Sequence, residues 1–394
     1  MNRRHDIDAL RAIAFSLLIL YHWCMLYVFD WGWHVKSPIQ AEWLQWPMLF
    51  VNRWRMDLIF LISGMAAAFM LKPEQSGRFA VLRTWRLLLP LAFGMAVVVP
   101  IQPYAQGVSN GLVEPGFWRF IVDYYSGKPW PKDAFDGWDS GMTWNHLWYL
   151  AYLWIYTLVL ALIAKPLDSS RGRRLRAMFT RLRGPALMTL PALPLLLYTL
   201  TLQMRFPDDG DFIHDWYRNA MYFTVFLYGY LIARDAGFWS EAVRLRHASL
   251  VSALLLFAGY ITLVATLPDD VPFWQQAGLW TLRNFYVWTM LLAILGWAHA
   301  LLDRPWRWLP WANESVYPWY ILHQSLIVGL GYWLIPFKLG PVIEPALVLA
   351  GTVAGCYLIG EVIKQVPWLR PCFGLKRLDR QRGRQALVLE SAEN

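Results

Sequence analysis

The sequence predicts an all-α, polytopic membrane protein of about ten transmembrane helices, with both termini on the cytoplasmic side. Two observations lead there. Hydrophobic residues make up 57% of the chain and charged residues only 16%, with 25 Trp and a positive mean hydropathy, which excludes an ordinary soluble globule. The 36 Lys and Arg residues are also unevenly placed: with the N-terminus inside, 26 of them fall in segments on the cytoplasmic side. The net charge of +9 therefore reports topology and attraction to anionic lipid or phosphate, not nucleic acid.

Apolar runs of spanning length lie near 9–29, 47–71, 87–103, 143–164, 186–203, 214–233, 248–267, 277–302, 312–335 and 341–363. The chain opens Met-Asn-Arg-Arg and enters the first run with no small-residue cleavage site, so that run is expected to be an uncleaved span. The transmembrane domain is expected to occupy 1–369, and 370–394 reads as a short tail, basic and then polar. Any chemistry is expected within the spans and their loops. Cys24, Cys356 and Cys372 lack pairing or metal-ligand spacing, so neither a disulfide framework nor a metal site is expected.

The first span runs from Asp8-Ala9-Leu10-Arg11 to Tyr21-His22. Eleven helical steps place His22 within roughly 20° of the Arg11 face and about 16 Å further along the axis. An ionisable group at that depth is costly, and it lines a pathway, pairs within the bundle or packs as a polar contact. The second span must include Asn52, Arg53, Arg55 and Asp57 to reach across, because the uninterrupted apolar run after them is only Leu58 to Leu71. Arg53 and Asp57 have the i,i+4 spacing of an ion pair, whereas Arg55 has no such partner and is suited to an anionic ligand. Ser63 and Gly64 are two small residues in mid-span, a pattern of close helix packing.

Arg83 and Arg86 share one face near the inner end of the third span. Paired guanidiniums suit phosphate, and positive-inside anchoring explains them equally well. The largest outer loop, about 104–142, mixes Trp and Tyr with Asp, Gly and Pro, as in Tyr124-Tyr125-Ser126-Gly127-Lys128-Pro129-Trp130. Sugar stacking and an interfacial aromatic belt both account for it. His146 and Trp148 open the fourth span, and His146 also reads as an interfacial residue. In the ninth span His323 lies at a depth similar to that of His22, while Glu314 is half a turn out of phase with His323. Glu361, near the inner end of the last span, reads as an interfacial charge.

Several of these segments, in this order and spacing, resemble the acyltransferase family 3 membrane proteins, whose first-span signature is an Arg, ten residues, then a His. Arg11 and His22 fit it. The other points of similarity are Trp33-His34-Val35-Lys36-Ser37, Arg55-Met56 leading into Phe60-Leu61-Ile62-Ser63-Gly64, Arg83 with Arg86 and Pro90, His146 to Leu150, and Asn313 to His323. The chain is most similar to the subgroup associated with succinylating osmoregulated periplasmic glucans.

The resemblance implies ten spans in the bacterial inner membrane, a cytoplasmic acyl-CoA co-substrate, no tightly bound cofactor, and a glycan acceptor on the periplasmic side. It makes Arg11 and His22 the catalytic candidates. Asp8, Arg55, Arg83 and Arg86 fall to the donor; His146, Trp148, His323, Glu314, Arg53 and Asp57 fall to the acceptor or to positioning. The alternative is a transporter or flippase for an anionic or lipid-linked sugar, with His22 and His323 as a proton relay. The absence of a visible internal repeat weakens that reading.

Overall fold

The computed structural model describes residues 4–206, 213–268 and 270–377. The described chain is helical, and its only β feature is one isolated bridge between Val28 and Ala41. The helices are α1 (His5–Met25), α2 (Gln45–Met70), α3 (Ser76–Phe93), α4 (Ile101–Ser109), α5 (Phe117–Ser126), α6 (Trp148–Asp168), α7 (Ser170–Thr180) and α8 (Gly184–Thr189). They continue as α9 (Ala192–Thr201), α10 (Trp216–Ile232), α11 (Ala236–Thr266), α12 (Phe273–Leu302), α13 (Leu309–Leu334), α14 (Gly340–Gln365) and α15 (Leu369–Cys372). Beyond residue 377 the expected tail lies outside the described residues.

Among the described residues, eight helical stretches are long and apolar enough to cross a membrane. The other two expected spans coincide with α2 and α10. The 26 residues of α2 reach about 39 Å but carry Arg53, Arg55 and Asp57, and α10 has 17 residues. Backbone groups in lipid must be satisfied internally, which is why these apolar runs are helical.

The chain divides into two compact units. The first holds residues up to Tyr21, Trp43–Val81 and Tyr152–Asn313. Its helices α2 and α10 approach backbone to backbone: a Cβ added at Gly64 would fall on the Phe226 carbonyl, and one at Gly229 on the Leu61 carbonyl. Gly64 is thus the small-residue contact expected in mid-span, and Gly229 is its reciprocal partner. Similarly, a Cβ at Gly296 of α12 would meet the Ala242 carbonyl of α11.

The second unit holds His22–Glu42, Leu82–Ala151 and the chain from Glu314 onward. Here α3 carries Pro90 and passes into a π-helical turn, Gly94–Val98, before α4. The loop expected at 104–142 contains an aromatic cluster. Tyr104, Phe120, Tyr124, Ala134 and Phe135 form a core of their own, with α4 and α5 as its frame. Burial of these rings outweighs interfacial exposure, although Trp118 remains 79% exposed.

Candidate active site

The centre of the second unit is a pair of histidines. His22, near the C-terminal end of α1, and His323, in the middle of α13, approach with Nδ1 of His22 2.8 Å from Nε2 of His323. The rings are inclined by only 12° with centroids 5.1 Å apart, the geometry of an in-plane edge-to-edge hydrogen bond and not of a face-to-face stack. His323 is fully buried. Its Nδ1 lies 2.7 Å from the Tyr320 carbonyl and 3.2 Å from that of Trp319, both acceptors, so this nitrogen carries the proton. In neutral His323, Nε2 is then an acceptor, and His22 must donate from Nδ1. The chain of bonds leaves the lone pair of His22 on Nε2, where a base or nucleophile needs it. Trp33 lies nearly parallel to His22, 6.4 Å away and tilted by 20°.

Around the pair runs an amide network. Gln324, the residue after His323, donates to His34 Nε2 at 3.0 Å and to Gln102 Oε1 at 3.0 Å. Gln102 donates to Ser325 at 2.7 Å and to His146 Nδ1 at 3.2 Å, and His146 Nε2 donates to the Ile321 carbonyl at 3.1 Å. Both ring nitrogens of His146 are therefore engaged, and its ring meets that of His323 edge-on at 5.2 Å. His34 Nδ1 in turn reaches Gln106 at 2.8 Å and Asp136 at 3.1 Å. The hydrogen bond from His34 holds the Asp136 carboxyl below its ordinary range. Amides cannot pass protons on as imidazoles do, so this network fixes rings and does not form a wire. Trp148 is half-buried at the start of α6.

The second unit also holds the arginine pair. Arg83 and Arg86 stand on α3, with Tyr317 and Tyr149 in electrostatic reach of Arg83, and Arg83 Nε is buried without a hydrogen-bond partner among the described residues. Such an orphaned guanidinium edge fits an anionic ligand. Glu314 accepts from Arg370 at 2.7 Å and is tied to the start of the tail, well away along α13 from His323. Glu361 pairs with Lys364 at 2.7 Å.

In the first unit Arg11 donates to Asn313 Oδ1 at 2.6 Å, leaving its Nε without a partner among the described residues. Asp8 is half-buried one turn before it. The expected Arg53–Asp57 ion pair does not form. Arg53 lies over the Tyr260 ring at 5.6 Å and Arg55 over Tyr21 at 3.5 Å, so cation–π contacts with neighbouring helices displace the intrahelical bridge. Two nitrogens of Arg55, Nε and Nη1, are buried without a hydrogen-bond partner among the described residues, and so is Asp57 Oδ1. The hydroxyl of Tyr21 accepts from Asn52 at 2.6 Å.

Sequence reasoning missed Trp33, Gln102 and Gln324 as parts of the site. A signal was present: Gln102 is a lone amide at the end of an apolar run, and Gln324 follows a mid-span histidine.

Fold and site together define a polytopic membrane protein with a histidine pair embedded among its helices. Residues 4–361 match the family described as "Acyltransferase domain", and the chain belongs to that family of membrane acyltransferases. It is 22% identical over 402 aligned positions to the "Glucans biosynthesis protein C" of Salmonella paratyphi B, covering 98% of each chain. The proteins of that name from Salmonella agona and Salmonella enteritidis match to the same extent. No solved structure matches.

Proposed function

We propose that this acyltransferase moves an acyl group, succinyl in preference to acetyl, from cytoplasmic acyl-CoA to hydroxyls of a periplasmic glucan or related glycan. The observation that carries the reading is the His22–His323 bond, which leaves His22 Nε2 as the basic nitrogen. A sugar hydroxyl has a pKa far above 7 and needs a base poised near neutrality as it attacks. In direct transfer, the hydroxyl oxygen bonds to the thioester carbonyl carbon as His22 Nε2 takes its proton. The C–S bond then breaks, and the proton passes to the departing thiolate. In the two-step route, His22 Nε2 attacks the thioester carbon and the C–S bond breaks to release the CoA thiolate. The hydroxyl oxygen then attacks the acyl-His22 carbon, the C–N bond breaks, and the hydroxyl proton passes to the thiolate.

His323 acts as the positioning residue by accepting from His22 Nδ1, and His146 with Gln102 and Gln324 holds the surrounding rings. Arg83 and Arg86 of the second unit supply guanidiniums for the CoA phosphates, and in the first unit Arg11 and Asp8 are the donor candidates. A succinyl group carries a free carboxylate that needs a cation within the membrane, a need that the unsatisfied Arg55 nitrogens on α2 meet, with Arg53 beside it in sequence. For acetyl such a cation has no task. Support for a glycan acceptor comes from the names of the relatives.

The test is transfer by the purified protein in detergent, offered acetyl-CoA or succinyl-CoA with a periplasmic-type glucan, read as mass gain on the glucan. Product that requires acyl-CoA and is richer with succinyl-CoA is the expected result. Glucan flux in vesicles without any acyl-CoA, and no acylated product, would establish the transporter alternative instead.

A further inference from the structure

We infer that the outward face of α7 is a binding surface for anionic phospholipid headgroups. This helix joins two membrane-length stretches: it begins two residues after Asp168, where one ends, and finishes four residues before Gly184, where the next begins. Connectivity therefore holds its 11 residues, about 16 Å of helix, at the membrane surface.

Its sequence, Ser-Arg-Gly-Arg-Arg-Leu-Arg-Ala-Met-Phe-Thr, contains no acidic residue. One side is spoken for: Phe179 stacks on Tyr228 of α10 at 4.7 Å, Arg176 lies over Tyr230 at 5.3 Å, and Gly172 and Thr180 are buried. Arg173 and Arg183 are occupied by local carbonyls, those of Asp168 and of Thr180 and Leu182.

The opposite side is a stripe of Arg171, Arg174, Leu175, Met178 and Arg181, which helical periodicity gathers within about 120°. Leu175 is 65% exposed and Met178 68% exposed, and the three arginines make no ion pair among the described residues. Two apolar side chains flanked by three unneutralised guanidiniums match the boundary of an anionic leaflet. The apolar pair enters the acyl region and the arginines meet phosphates. A partner protein would need an acidic surface with an apolar patch at matching positions, whereas the position of α7 at the membrane surface already supplies it with lipid. The inference is independent of the acyl-transfer reading.

The test is native mass spectrometry of the full-length protein released from detergent after titration with phosphatidylglycerol or phosphatidylcholine. Each surface arginine is expected to raise anionic-lipid affinity roughly fivefold. Arg171→Gln/Arg174→Gln/Arg181→Gln should thus lose more than tenfold in phosphatidylglycerol retention, with phosphatidylcholine retention and thermal stability unchanged because the three side chains are exposed. The corresponding triple Lys variant should keep most of the binding. Equal phosphatidylglycerol retention by wild type and the Gln variant would overturn the inference. So would loss of a protein complex, and not of lipid, in that variant.

Discussion

The bond between the two histidines makes a quantitative prediction for His323→Ala. The substitution removes the acceptor for His22 Nδ1–H at 2.8 Å and with it the anchoring of the ring through the Tyr320 carbonyl. A buried donor left unsatisfied costs about 1–3 kcal/mol. If that cost falls on the productive orientation and tautomer of His22, it converts to a loss of about 5- to 150-fold in kcat. The KM for acyl-CoA should be unchanged, since His323 acts only through His22. His323→Gln offers an amide oxygen to the same proton and should recover to within about fivefold of wild type, the worth of one ordinary hydrogen bond. The assay is steady-state acyl transfer with acyl-CoA varied, alongside a thermal melt to verify folding. A folded His323→Ala protein with kcat within twofold of wild type would refute the dyad. So would a change in KM alone.

Three further outcomes are expected. Arg83→Gln combined with Arg86→Gln should raise the KM for acyl-CoA at least tenfold with kcat largely retained, as two charge-assisted contacts of about 1.5–3 kcal/mol imply; undiminished CoA binding by titration would remove the phosphate role. Gly229→Ala should lower thermal stability by about 1–3 kcal/mol, the range for overpacking, because its Cβ meets the Leu61 carbonyl, whereas Gly278→Ala on α12, with nothing within 4 Å, should melt no lower than wild type, helix propensity favouring Ala. Asp136, whose carboxyl His34 holds below the ordinary range, contributes stability that is present above the unfolded carboxylate pKa near 4 and lost as pH falls through the lower folded value; melts across that acid range should show a pH-dependent component that Asp136→Asn abolishes.

Much of this was legible in the sequence because it rested on local periodicity. Ten apolar runs matched ten helical regions, and Gly64 was readable as a close-packing position. The similar depths of His22 and His323 followed from helical rise alone, and the structure brings the two rings into contact. What was not legible depended on tertiary competition. An i,i+4 rule permits Arg53 and Asp57 to pair, but it cannot see that Tyr21 and Tyr260 present rings to the arginines instead. Composition likewise marks the 104–142 loop as aromatic, yet does not reveal that Tyr104, Phe120, Tyr124 and Phe135 bury one another. The neutral amides Gln102 and Gln324 escaped a reading focused on titratable groups, although they hold His146 and His34 in place.

The most direct test of the account is acyl transfer by His22→Ala beside wild type, at saturating acyl-CoA and glucan and with equal CoA binding confirmed. Loss of the base should lower the rate by about 10²–10⁴-fold. A folded, CoA-binding His22→Ala protein that still transfers acyl groups at the wild-type rate would contradict the central claim and place the chemistry on another residue.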